Sequence, residues 1–184
     1  MNRKIYIFSI IIIFVFGYIL FEAYKLENKF AGDSADKAGT VIQNMPNLKF
    51  SLASDSDKNL ELYQLTGQGK NVFVHFWATW CAPCEKEFPE LVKMIHLFKD
   101  KKNIQFVLVA VNDDPKKMKK FLKQFDLNLD NVSLVEDKIN SHKELGTYKL
   151  PETFVFNSEN KIVKKYTGQQ PWLQKYIVDQ IKSL

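Results

Sequence analysis

The chain has 184 residues, 46% hydrophobic and 14% aromatic, with a formal net charge of +5. That is enough apolar material for one domain of ordinary size plus accessory sequence, which excludes a disordered chain. The positive excess is too small for a nucleic-acid footprint, and two cysteines cannot build a small disulfide scaffold.

Asn2, Arg3 and Lys4 lead into an uncharged apolar run from Ile5 to Phe21. As a helix this run would be about 25 Å long, close to the hydrocarbon thickness of a bilayer. It reads as a cleaved signal or as an anchor. Glu22, Ala23, Tyr24 and Lys25 follow it without an A-x-A pattern, and Tyr18, Phe21 and Tyr24 suit a membrane interface. An uncleaved transmembrane helix over 5–21 is therefore the favoured reading. No cysteine follows the run, so lipoprotein-type anchoring is excluded. Arg3 and Lys4 mark residues 1–4 as the cytoplasmic end. The expectation is a single-pass protein of a bacterial inner (cytoplasmic) membrane, with its domain on the periplasmic, extracytoplasmic side. Residues 22–45, polar and rich in small residues, read as a linker, and 46–184 as the folded domain.

Within that domain, short extended pieces are expected around Leu48–Leu52 and Leu60–Leu62. Val72–Trp77, apolar apart from His75, predicts a strand buried on both faces. Pro83–Lys99 has helical spacing, with Phe88, Leu91, Val92, Ile95 and Phe98 as the apolar stripe and a kink expected at Pro89. Ile104–Val111 is a second buried strand. Asp113, Asp114 and Pro115 open a helix with Met118, Phe121, Leu122 and Phe125 inward and Lys116, Lys117, Lys119, Lys120 and Lys123 outward. A strand at Val132–Val135 and a short helix at Ser141–Leu145 follow. Thr153–Phe156 and Ile162–Tyr166 form a hairpin, and Trp172–Leu184 an amphipathic helix. This order implies an α/β domain with a mixed sheet.

Trp80-Cys81-Ala82-Pro83-Cys84 follows a buried strand and opens a helix. The N–H groups at a helix mouth stabilise an anion, so Cys81 is predicted to form a thiolate at lower pH than a free thiol. Cys81 is the candidate nucleophile and Cys84, one turn further in, the candidate resolving thiol, the two cycling through a Cys81–Cys84 redox disulfide. So short a loop gains little chain entropy from a disulfide, which argues against a structural bond. The competing readings are half of a zinc site or two inert core cysteines. Zinc needs about four ligands, and His75, His96 and His142 form no second pair at metal spacing. No metal and no cofactor is expected.

The segment Phe76-Trp77-Ala78-Thr79-Trp80-Cys81-Ala82-Pro83-Cys84-Glu85-Lys86-Glu87-Phe88-Pro89-Glu90-Leu91 resembles the active-site region of TlpA/ResA-like thioredoxin-fold proteins. Leu145-Gly146-Thr147-Tyr148-Lys149-Leu150-Pro151-Glu152-Thr153-Phe154-Val155-Phe156 is similar to their cis-proline region, and its Pro-Glu-Thr-Phe wording resembles the CcmG (DsbE) branch. The resemblance covers roughly residues 45–184. It implies a thioredoxin-like α/β fold, a central mixed β-sheet flanked by helices, behind the N-terminal transmembrane helix. It also implies roles: Cys81 attacks, Cys84 resolves, and Pro151 is the cis-proline facing them. Leu150–Pro151 would hold a substrate strand in β-like pairing beside Cys81. Trp80 would be an apolar contact surface beside the thiol, or part of the core. Glu87 matches the family's acid–base glutamate and could take the Cys84 proton; otherwise it is an exposed helix carboxylate like Glu85 and Glu90. His75 departs from the family pattern, where thioredoxins carry Asp and ResA-like proteins often Asn. Either its imidazole titrates near pH 6–7 beneath the dithiol, or it is a neutral core histidine with one hydrogen bond, and the second reading carries more weight.

The resemblance makes an anchored thiol–disulfide oxidoreductase the leading function. The enzyme would act as a protein-disulfide reductase that draws electrons from a membrane thiol donor. Its substrate would be a disulfide-containing protein, apocytochrome c during cytochrome c maturation. An exported disulfide oxidase or isomerase on the same fold is the alternative. A copper chaperone is disfavoured by the Cys-x-x-Cys spacing, and a peroxiredoxin-type peroxidase by the lack of a Thr-Pro-x-Cys setting. No nucleic-acid partner is expected.

Overall fold

The computed structural model describes residues 13–22, 46, 48–53, 58–66 and 68–184. The chain divides into two units, residues 1–41 and 42–184. In the first, residues 13–22 form a helix, α1. Ile13, Phe14, Phe16, Tyr18, Ile19 and Phe21 are all exposed, so its apolar side chains point to every side. Among the described residues no helix is long and apolar enough to cross a membrane. The remainder of the expected 5–21 span, and the 22–45 linker beyond Glu22, lie outside the described residues.

Among its described residues the second unit has seven strands: β1 (Lys49–Leu52), β2 (Asn59–Glu61), β3 (Asn71–Trp77), β4 (Ile104–Val111), β5 (Val132–Asp137), β6 (Glu152–Phe156) and β7 (Ile162–Thr167). They form one sheet in the order β2-β1-β5-β4-β3-β6-β7. β3, β4 and β5 are parallel to one another, while β1 runs antiparallel to β5, β6 to β3 and β7 to β6. The sheet is mixed, as the elements predicted. Every residue of β3 and β4 is buried. Their β-branched and aromatic content suits a strand covered on both faces.

Alternation decides what each face carries. Val72, Val74 and Phe76 pack with Val107, Val109, Phe154 and Phe156 on one face, which the short helix α2 (Leu62–Thr66) helps cover through Leu62 and Leu65. Phe73 and Trp77 pack on the other with Phe88, Leu91, Ile95, Trp172 and Ile177. These come from the helix α3 (Ala82–Leu97), the loop after β7 and the helix α5 (Lys175–Lys182). The helix α4 (Pro115–Leu122) closes the same side, its Phe121 ring 5.0 Å from that of Phe88.

Several details differ from expectation. α2 was not anticipated, because its leucines continue the apolar pattern of β2. α5 begins at Lys175, and Trp172 before it is fully buried on the turn that Pro171 opens. Asp114 alone caps α4, its carboxylate accepting from Lys116 N (2.8 Å) and Lys117 N (3.0 Å). Asp113 turns elsewhere, towards the dithiol loop.

Candidate active site

β3 ends at Trp77, and the chain passes through Ala78, Thr79 and Trp80 into Cys81, the N-cap of α3. The turn is held from β4: Asp113 accepts from the backbone N–H and the hydroxyl of Thr79, both at 2.6 Å. Cys81 Sγ accepts from Cys84 N at 3.3 Å, so the sulfur lies at the mouth of the helix. The two cysteines are joined as a disulfide. Cys84 is fully buried and Cys81 is 6% exposed, so only the Cys81 side of the bond is open to attack. Pro83 occupies the first turn, where a missing N–H leaves no bond unmade.

The Leu150–Pro151 peptide bond is cis. Phe76 pairs with Glu152, so Pro151 lies at the end of β3 from which the cysteine loop springs. Pro151 O accepts from Gly168 N at 2.8 Å, tying this wall to the loop after β7. Gly168 has φ +78°, a conformation that costs glycine nothing. Trp80 is 62% exposed and therefore belongs to the surface beside Cys81, not to the core.

Beneath the dithiol the structure brings together two residues that were read separately in the sequence. His75 shares its sheet face with Phe73 and Trp77, and Glu87 sits one helical turn after Cys84 on the buried side of α3. His75 Nε2 and Glu87 Oε1 are 3.5 Å apart, both side chains fully buried. Among the described residues neither atom has a hydrogen-bond partner. His75 Nδ1 is 2.9 Å from Thr153 Oγ1, its neighbour across the β3–β6 ladder. Glu87 Oε2 accepts from Gln170 N at 2.7 Å.

Burial raises the Glu87 pKa to about 7, against the opposing pull of the Gln170 N–H and the Trp172 indole. Burial lowers His75 to about 3, so of the two readings the structure favours the neutral core imidazole over one that titrates near pH 6–7. The consistent state is a neutral imidazole whose Nδ1–H donates to Thr153, with Glu87 holding a proton that it can direct at Nε2. Glu87 is not the exposed carboxylate that Glu85 and Glu90 are. Thr153, Gln170 and Trp172 were missed in the sequence. They reach the site only through strand register and a loop about eighty positions away, and no local pattern marks them.

The other histidines lie apart. His96 Nε2 is 2.7 Å from Asp126 O, and His142 Nδ1 is 2.6 Å from Asp137 Oδ2. Among the described residues no three His, Cys, Asp or Glu side chains gather as a metal site.

A dithiol at a helix mouth after the third strand of a mixed sheet, with a cis-proline on the neighbouring strand, defines the class: a thioredoxin-fold thiol–disulfide oxidoreductase. The chain belongs to the Redoxin family, whose model matches residues 37–180, and within it is TlpA/ResA-like. It is 32% identical over 159 residues to thiol-disulfide oxidoreductase ResA of Bacillus subtilis, covering 86% of this chain and 80% of that one. It is 32% identical over 175 residues to ResA of Bacillus cereus, covering 92% of each. A candidate thiol:disulfide interchange protein DsbE from Chlorobium tepidum shares the fold, with a TM-score of 0.64, 24% identity and coverage of 77% and 95%.

Proposed function

We propose that this oxidoreductase is a membrane-anchored protein-disulfide reductase working outside the cytoplasm, with apocytochrome c as its substrate. The carrying observation is the pairing of a slightly exposed Cys81 with a fully buried Cys84, on a helix whose next turn carries a carboxyl poised near neutral pH. In the forward cycle the Cys81 thiolate attacks one sulfur of the substrate disulfide. That bond breaks, one substrate sulfur leaves as a thiolate and takes a proton from water, and the other stays bonded to Cys81. Cys84 then gives its proton to the Glu87 carboxylate and attacks Cys81 Sγ. The second substrate sulfur leaves as a thiolate and takes that proton from Glu87, and the Cys81–Cys84 disulfide closes. Two electrons have passed to the substrate, and a membrane thiol donor restores them. A carboxyl with a pKa of about 7 is well matched to accept and return that proton near neutral pH.

The cytochrome substrate is supported by the Pro-Glu-Thr-Phe likeness to the CcmG branch, and the anchor by the apolar run at the N-terminus. Cys84→Ser should trap substrate on Cys81 as a stable mixed disulfide; an empty trap in cells counts against exchange. Deleting the gene should abolish c-type cytochromes, and an added thiol reductant should restore them. Normal cytochromes in the deletion strain would remove that substrate. A reduction potential in the range of strong oxidants would reverse the direction.

A further inference from the structure

A groove of about 470 Å³ lies between Trp80 and Leu150, the residues that directly precede Cys81 and Pro151. Its apolar walls are Trp80, Val111, Tyr148 and Leu150. Trp80 is pinned there by its indole N–H to Asn112 O, 3.4 Å. Its floor carries two asparagines in the left-handed region, Asn112 at φ +46° and Asn140 at +63°, linked by Asn112 Nδ2 donating to Asn140 Oδ1 at 2.9 Å. Two such residues in contact are a local cost that clusters at functional surfaces.

The charged side chains of the groove are of one sign. Lys143 and Lys149 line it, and so does His142. Asp137 accepts from the backbone N–H of Ser141 and of His142 at 2.9 Å each, and its Oδ2 is 2.6 Å from His142 Nδ1. The His142 Nδ1–H is thereby committed behind the groove, leaving Nε2 as the ring's other polar atom. Thr147, 1% exposed, also lines the groove, and among the described residues its Oγ1 has no hydrogen-bond partner. Among the described residues no acidic side chain lines it: Asp137 lies behind His142, and Glu144 is outside.

We propose that this groove is a substrate subsite that takes an acidic side chain, Asp or Glu, carried by the substrate polypeptide beside its reacting cysteine. The inference rests on the thiol-exchange reading of Cys81. A chain whose sulfur meets Cys81 while its backbone runs along Leu150 places a flanking side chain over the groove. There Lys143 and Lys149 meet a carboxylate, the unpartnered Thr147 hydroxyl donates to it, and Trp80 and Tyr148 cover its methylenes.

The test uses the full chain, reduced, and two disulfide peptides that differ only in Glu or Gln on either side of the cysteine. The Glu peptide should be reduced with a kcat/KM about fivefold higher than the Gln peptide at low salt, the ratio shrinking as salt is added. In Lys143→Gln/Lys149→Gln, both exposed positions, the ratio should fall to about one. In Lys101→Gln/Lys102→Gln, at the opposite end of β4 from Val111, it should persist, which separates the subsite from net charge. Thr147→Val should lower the ratio in part. Equal rates for both peptides in the wild type, or a ratio intact in the Lys143/Lys149 variant, overturn the subsite while leaving exchange standing. Failure of the wild type to exchange with either peptide overturns the thiol-exchange reading and the subsite with it.

Discussion

Glu87 and His75 set the behaviour of the site at the scale of single residues. The Glu87 pKa lies at about 7 in the folded chain against an ordinary 4.5, so the folded chain holds its proton more tightly between those values. Stability therefore falls as pH rises from about 4.5 to about 7 and stays lower above that. His75 works in the other direction. Its folded value of about 3 lies below 6.5, so stability falls as pH drops from 6.5 towards 3. The chain should be most stable between about pH 4.5 and 6.5, measured by denaturant titration across pH. Glu87→Gln should remove the fall between about pH 6.5 and 7 and move the top of the acid limb from about pH 4.5 up to about 6.5, because the Glu87 contribution no longer offsets that of His75; an unchanged profile would refute the assignment. The same variant should slow the resolving attack of Cys84 about a hundredfold at pH 8 and erase its inflection near pH 7, read by stopped-flow mixing with a mixed disulfide.

At the scale of elements, two adjacent aspartates have different tasks. Asp114 is an exposed N-cap whose loss frays the first turn of α4. Asp114→Ala should lower Tm slightly and leave exchange rates unchanged. Asp113 binds both polar groups of Thr79 in the loop that carries Cys81. Asp113→Ala leaves a part-buried N–H and hydroxyl unpaired, a loss of about 1–3 kcal/mol. It should also slow attack by Cys81, which a stopped-flow assay with a small disulfide checks. The elements themselves were largely legible. β3, β4 and the apolar stripe of α3 followed from burial pattern and period, and the lysines of α4 are exposed as expected. What was not legible has local causes. α2 carries too few residues to show a helical period, and the Trp172 turn looks like the start of α5 until Pro171 is seen to delay it.

The whole molecule joins two units of different character. In the folded domain Trp172 ties the sheet to the loop that holds Glu87, its ring 5.4 Å from those of Phe73 and Tyr166 and 6.1 Å from His75. Trp172→Ala should cost about 3–5 kcal/mol in denaturant unfolding. Because Gln170 rides on the same loop, it should also disturb the Glu87 titration, visible as a shift in the pH-rate profile. The N-terminal unit presents apolar side chains on all sides of α1, the pattern of a helix meant for an apolar surrounding. The full chain should fractionate with membranes, and external protease should digest the domain in cells stripped of their wall. A chain recovered in the soluble fraction would remove the anchor.

The sequence by itself determined the fold class and the place of the dithiol, because hydrophobic period and helix-mouth chemistry are local properties. It could nominate Glu87 and His75 but not join them. Val72–Trp77 is an apolar run interrupted only by His75, and only packing on both faces reveals that His75 shares a face with α3. The tertiary structure alone decided that the carboxyl is held near pH 7 and that Thr153 and Gln170 complete the site. Desolvation and strand register arise from distant segments brought together, and no window of sequence contains them.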